Sequence, residues 1–249
     1  MQREHITDEA WIKMLKFFNE HPQVYVGCQK ELKVFTEEAC WIVRSGSQWR
    51  MLPEKYGSWN SVFKRFRDWV RKDVWKNLME FCIEEPDLEY VMIDSTIVRA
   101  HACAAGLGKQ NEQGLGRSKG GFTSKIHARV DALGNPLKFV ITPGQENAFS
   151  QANCMLGSIF DAYILCDRGY DSDNFRYKIR SQNCIPVIPG KRNRVVQIEY
   201  DKHIYKERSL VENFFSKVKH FRRVFSRFDK SKSSYVAFLF FVGAILWLK

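Results

Sequence analysis

The sequence predicts an α/β protein: a mixed sheet flanked by helices, preceded by a small helical domain. Three observations predict it. Apolar residues recur at helical spacing through the first third, whereas short apolar runs bounded by turn residues take over after Glu84-Glu85-Pro86. From there the order reads strand, strand, strand, helix, strand, helix, strand, helix, helix; a hairpin followed by alternating helices and strands implies a mixed sheet covered on both faces. Finally, 249 residues with 45% hydrophobic and 27% charged content can bury a sizeable core, which excludes a disordered or collagen-like chain. The change of pattern predicts a helical unit over residues 1–86 and an α/β unit over 87–249, with no internal repeat.

Thr7 can cap a first helix carrying Trp11, Leu15 and Phe18, with Pro22 just beyond its end. A second helix is expected over residues 36–46, ending at Gly46, and the turn-rich stretch SGSQWRMLPEKYGS follows. A third helix, residues 59–72, has Val62, Phe63, Phe66, Trp69 and Val70 at helical spacing, with Lys64, Arg65, Arg67, Arg71 and Lys72 between them.

Residues 90–94 read as a short apolar strand ending in the carboxylate of Asp94. Residues 102–121 are rich in glycine and carry Lys109, Arg117 and Lys119; no G-K-[ST] follows, so they read as a flexible basic loop and not a phosphate loop. Residues 125–130 and 137–142, joined by the turn Ala132-Leu-Gly-Asn-Pro136, form a hairpin. A helix is expected over 146–160, a strand over 163–166 ending at Asp167 with Gly169 just after, a helix over 171–181, and an edge strand over 185–189 because of its prolines. A long helix is expected over 203–228. The last apolar run, residues 235–248, is 14 residues long. A bilayer span needs roughly 17–25, so this run reads as a buried core helix and not a membrane anchor.

Lys and Arg total 39 against 28 Asp and Glu, a net of +11. Residues 191–232 alone hold 13 Lys/Arg and 5 Asp/Glu, a net of +8, and include Arg222 and Arg223. Such an excess suits a polyanion, nucleic acid or an anionic membrane surface, and a solvated basic face is the plain alternative. The third helix, through Lys64, Arg65 and Arg67, fits either a DNA recognition helix or an ordinary amphipathic helix with a basic face. Seven cysteines, an odd number without C-x-x-C, argue against a disulfide framework and for a reducing, cytosolic compartment. His101 and Cys103 have no second pair at zinc spacing. Gln2, Arg3 and Glu4 open the chain without the pattern of a signal peptide.

Asp94 and Asp167 both end predicted strands, the edge at which sites form in open α/β sheets. A third carboxylate comes from the long helix. With Glu212 at zero and about 100° per residue, Tyr205 falls near +20°, Arg208 near −40° and Lys219 near −20°, one narrow polar stripe. Beside it runs an apolar stripe of Val211, Phe214, Val218, Phe221 and Phe225. The plain alternative is a solubilising face with a Glu–Arg pair, which accounts for Arg208 but not for Tyr205 and Lys219 in register. Three gathered carboxylates repel one another unless cations neutralise them, and an all-oxygen donor set favours Mg²⁺, with Mn²⁺ as a substitute. Paired ions of this kind serve phosphoryl transfer.

The spacing Tyr205-x2-Arg208-x3-Glu212-x6-Lys219 resembles the Y-R-E-K signature of DDE transposases from bacterial insertion sequences. The stretches YKERSLVENFFSKVKHFRRVFSRFDK, VMIDSTIVRAHACAAG, CDRGYDS and SGSQWRMLPEKYGSWNSVFKRFRDW resemble the branch numbered family five. Only 212 − 167 = 45 positions separate the second Asp from Glu212, too few for the β-rich insertion of family four. The resemblance implies a ribonuclease-H-like catalytic domain over 87–249 and a DNA-binding domain over 1–86. It implies that Asp94, Asp167 and Glu212 hold Mg²⁺ and catalyse, and that Tyr205, Arg208 and Lys219 support them or touch DNA. The partners it implies are double-stranded DNA, as transposon inverted repeats and target, and a further copy of the chain in a homodimer or larger assembly, in the bacterial cytoplasm. Where this branch often has a second His, the chain has Cys103. The rival readings are a catalytically silent DNA-binding protein, a structure-specific nuclease of the same fold, and a membrane-associated basic protein.

Overall fold

The structure, a computed structural model, describes residues 5–118 and 121–249. Lys119 of the expected basic loop, and Gln2, Arg3 and Glu4, lie outside the described residues. Helix α1 (Asp8–Glu20) is capped as expected: the Thr7 hydroxyl accepts the Ala10 N–H at 3.2 Å. Helix α2 (Gln29–Ser45) begins earlier than residue 36, because Leu32 and Phe35 continue its buried stripe. It ends at Gly46, φ 69°, where an added Cβ would lie 2.9 Å from Arg222 Cβ. Helix α3 (Trp59–Arg71) matches its predicted span. Helix α4 (Val74–Cys82) was not expected; it is short and follows α3 directly, after Asp73 reverses the chain at φ 53°.

Strand β1 (Tyr90–Ala100) runs past Asp94 because it pairs antiparallel with β3 (Gly121–Val130) as far as Arg99. Strand β2 (Gly116–Ser118) lies within the glycine-rich stretch, and β4 (Pro136–Pro143) completes the predicted hairpin with β3. The helix expected over 146–160 shrinks to a 3-10 turn and α5 (Ala152–Leu156), stopped by Gly157 at φ 57°. Then come β5 (Tyr163–Cys166), α6 (Asp173–Ser181) and β6 (Ile185–Val187). The long helix over 203–228 is broken: a 3-10 turn (Ile204–Arg208) leads into α7 (Ser209–Lys219), and extended Phe221 then separates α8 (Arg222–Phe225) and β7 (Ser226–Arg227). Phe221 leaves the helix to enter the core, and Phe225, expected on the apolar stripe, turns to solvent. Helix α9 (Lys232–Trp247) closes the chain.

The strand order is β2-β3-β1-β5-β6, with β4 also on β3 and β7 also on β1. β1, β5 and β6 are parallel, and β6 forms an edge as its prolines predicted. Strands covered on both faces read as continuous apolar runs. Val91 and Ile93 of β1, with Ile164 and Cys166 of β5, pack against α5 and α6. Met92 and Leu165, pointing the other way, join a second core with α7, α9 and the N-terminal helices. In that core Phe66 of α3 stacks on Phe238 of α9 at 4.4 Å, and Trp75 of α4 meets Phe241 at 4.6 Å. Helix α9 is buried on nearly all sides between α4 and β4, as its uninterrupted apolar run requires. Among the described residues no helix is long and apolar enough to cross a membrane. All seven cysteines are free.

Candidate active site

Ile93 and Cys166 are the last partners of the parallel β1–β5 ladder. Asp94 and Asp167 are the next residues of each strand, so the two carboxylates leave neighbouring strands at the same level. Asp94 continues the alternation of Met92, and Asp167 that of Leu165. Both therefore belong to the face on which α7 packs through Val211, Phe214 and Val218. Helix α7 begins at that edge and carries Glu212 in its first turn.

Each side chain is fixed differently. Asp94 Oδ1 accepts its neighbour's N–H, from Ser95, at 2.7 Å, and Oδ2 accepts Arg208 Nη1 at 2.9 Å. Asp167 Oδ1 accepts the Gly169 N–H at 2.8 Å and caps the 3-10 turn Arg168–Tyr170. An added Cβ on Gly169 would lie 2.9 Å from that same oxygen, so a side chain there would displace the Asp167 carboxylate. Glu212 Oε1 accepts Arg208 Nη2 and is otherwise exposed. The Arg208 guanidinium also lies 5.8 Å from the Tyr205 ring centre, and Tyr205 meets Tyr200 edge-on at 5.4 Å.

Burial pushes the Asp94 carboxyl up to about 6; the Ser95 N–H and Arg208 pull it down, and Asp167 and Glu212 push it further up. The structure thus links Asp94, Arg208 and Glu212 directly and sets Asp167 beside Asp94. As they stand, the three carboxylates do not form a ready cage: among the described residues no three His, Cys, Asp or Glu side chains could hold a metal ion. Arg208 occupies oxygens of two of them. The donor set nonetheless fits a divalent cation. A carboxyl raised by burial, and further by two carboxylate neighbours, calls for positive charge, and the one supplied here is the Arg208 side chain.

Lys219 lies half-buried at the far end of α7, and among the described residues no hydrogen bond or ion pair joins it to the carboxylates. The basic candidates divide. Lys64, Arg67 and Arg222 are exposed. Arg65 is half-buried over the rings of Phe35 and Trp69 and donates to the Tyr25 carbonyl. Arg223 differs from these. It is 5% exposed, makes a two-pronged ion pair with Asp229, donates to the Ser47 carbonyl at 2.8 Å and covers Phe238, so its guanidinium braces the fold.

One network escaped the sequence reading. Asp171, four positions after Asp167, is buried and accepts Arg176 Nε at 2.9 Å, Arg194 Nε at 2.6 Å and the Lys191 N–H at 2.8 Å. Against the burial that raises it, these donors hold its carboxyl down at about 2. A second Asp within CDRGYDS, followed by Arg176, was the available signal.

Residues 85–247 match the family model described as "Transposase DDE domain", and residues 6–79 match "Putative transposase of IS4/5 family". The chain belongs to the DDE transposase family. Over 130 residues this transposase is 35% identical to the "Putative transposase for insertion sequence element IS6501" of Brucella ovis, spanning 51% of the chain and 100% of the relative. It is 34% identical over 132 residues to "Uncharacterized protein y4sN" of Sinorhizobium fredii, 53% of this chain and 99% of that one. With the "Putative transposase for insertion sequence element IS402" of Burkholderia cepacia it shares 30% identity over 128 residues, 47% of this chain and 58% of the relative. The solved piggyBac transposase synaptic complex with hairpin DNA aligns at a TM-score of 0.43 and 14% identity, over 76% of this chain and 50% of that one. By its own sheet and helices the insertion-sequence transposase has the expected fold class, a mixed sheet flanked by helices after a helical N-terminal region. Its family cuts and joins DNA and generally uses a divalent metal.

Proposed function

We propose that this transposase cleaves the ends of its insertion sequence and joins them to target DNA by two-metal phosphoryl transfer, with Asp94, Asp167 and Glu212 as the ligands of Mg²⁺, or of Mn²⁺ in its stead. The observation that carries the proposal is the departure of Asp94 and Asp167 from adjacent parallel strands at one level, with Glu212 tied to Asp94 through Arg208. When bound, the ions supply activation of the attacking water and stabilise the leaving 3′ oxygen. Asp94, between its two acidic neighbours, is the natural shared ligand. Arg208, released from the carboxylates, and Lys219 further along α7 hold phosphates of the DNA end. Tyr205 orients Arg208 and is not a nucleophile; water and then the freed 3′ hydroxyl attack.

Double-stranded DNA, as inverted repeats and target, lies along the exposed cations Lys64, Arg67 and Arg222. The helices of residues 1–86 bind it, and the catalytic unit of 87–249 cuts it. Two ends must be joined together, so the working form is a homodimer or larger on DNA. The decisive variant is Glu212→Gln. It abolishes nicking of a labelled end fragment in Mg²⁺ while retaining binding; normal nicking overturns the assignment. Wild-type nicking of supercoiled DNA only with divalent metal separates an enzyme from a silent binder. Transfer of a pre-cleaved end into target DNA separates a transposase from a nuclease.

A further inference from the structure

Residues 188–203 link β6 to the 3-10 turn before α7, and each end of this loop is anchored a few residues from a member of the candidate site, Asp167 at one end and Arg208 at the other. At the first end, buried Asp171 fixes the Lys191 N–H and Arg194, four positions beyond Asp167. At the second, Tyr200 packs against Tyr205, and Asp201 accepts the N–H groups of His203 at 2.7 Å and Ile204 at 2.9 Å, starting the turn that delivers Arg208. Between the ends, Gln197 Nε2 donates to the Arg194 carbonyl at 3.1 Å and closes the loop on itself. Its apex is Val195 and Val196, 101% and 74% exposed. Lys191 and Arg192, three to five positions before them, are also exposed.

A lone exposed valine needs no explanation. Here two adjacent β-branched residues crown a loop pinned by a buried carboxylate beside the candidate active site. Residues 191–206 carry five Lys/Arg against two Asp/Glu, a balance that attracts phosphates and disfavours a second copy of a chain with a net charge of +11. Apolar side chains inserted between base steps, flanked by cations on the backbone, are a known means of unstacking a duplex.

We propose that residues 191–197 form a wedge that opens duplex DNA beside the scissile bond: Val195 and Val196 enter between bases while Lys191 and Arg192 hold the flanking phosphates. The proposal rests on the carboxylates being a DNA-cleaving site. The test uses the full chain and a duplex of the element's terminal repeat, with 2-aminopurine at the cleavage boundary, in EDTA so that no cutting intervenes. Wild-type binding raises the fluorescence. Val195→Ser/Val196→Ser loses the rise and keeps its affinity within about threefold, while Lys191→Ala/Arg192→Ala binds about tenfold more weakly near 0.1 M salt. Matching circular-dichroism melts establish that these exposed substitutions leave the fold intact. A full rise with the valine variant overturns the wedge, as does a valine variant that converts a free dimer to monomer without altering the rise. If the wild type instead neither binds the duplex nor nicks it in Mg²⁺, the underlying site assignment fails, a result distinct from failure of the wedge.

Discussion

Arg208 joins two carboxylates from distant parts of the chain: Nη1 lies 2.9 Å from Asp94 Oδ2, and Nη2 bonds Glu212 Oε1, one turn further along. A single guanidinium thereby faces a carboxyl that burial pushes up to about 6. Arg208→Gln leaves Asp94 without its ion partner and destabilises the protein by about 1–3 kcal/mol in metal-free buffer. Millimolar Mg²⁺ recovers part of that loss. Urea unfolding with and without Mg²⁺ measures both; equal stability of variant and wild type in metal-free buffer would remove the counter-ion role.

Gly169 sets the Asp167 carboxylate. In Gly169→Ala the new methyl group, 2.9 Å from Asp167 Oδ1, displaces that oxygen. End cleavage falls by about a hundredfold, the scale of a 1 Å misplacement, with little change in DNA binding. Single-turnover nicking alongside gel-shift titration separates the two; unimpaired nicking would show that Asp167 is not held this way.

Glu38, buried at 4% exposure between α2 and α3, has its carboxyl pushed up to about 7, chiefly by burial, with Arg65 pulling it down. A carboxyl raised on folding stabilises the fold below its unfolded value near 4.5, and that contribution is lost as pH rises through 7. Glu38→Gln lacks this slope. It is of order 2 kcal/mol more stable than wild type at pH 8, and the difference vanishes by pH 4.5. Denaturant unfolding across this range checks it, and parallel stability curves would refute it.

Arg222 and Arg223 are adjacent in sequence and opposite in placement. Arg223→Ala strands buried Asp229 and costs about 3–5 kcal/mol of stability. Arg222→Ala leaves the melt unchanged, weakens DNA binding and lowers the slope of log affinity against log salt by about 0.9. Thermal melts and salt titrations of the two variants decide it; a reversed pattern would place the wrong arginine on the surface.

The strand-end carboxylates were legible because an apolar run closed by Asp is costly to bury without purpose, and the hairpin because alternation and its turn agree. The Y-R-E-K spacing was legible as a motif, but not the path of its backbone. Tyr205 and Arg208 lie in a 3-10 turn, so a wheel at 100° per residue does not describe them, and the helix breaks at Phe221 because its ring is worth more in the core than in the helix. Helix α4 was missed because Asp73 adopts a left-handed turn that no spacing announces. The Asp171 network and the inward turn of Arg223 depend on contacts between residues far apart, which a charge count cannot distinguish from solvated ions.

Helix α9 fills the space between the N-terminal helices and the sheet, where Phe238 and Phe241 meet Phe66 and Trp75. A message truncated before Lys232 therefore yields a polypeptide whose interior lies open to water. Such a product has lost the element that ties the N-terminal helices to the sheet, and proteolysis or aggregation removes it before either half can act alone.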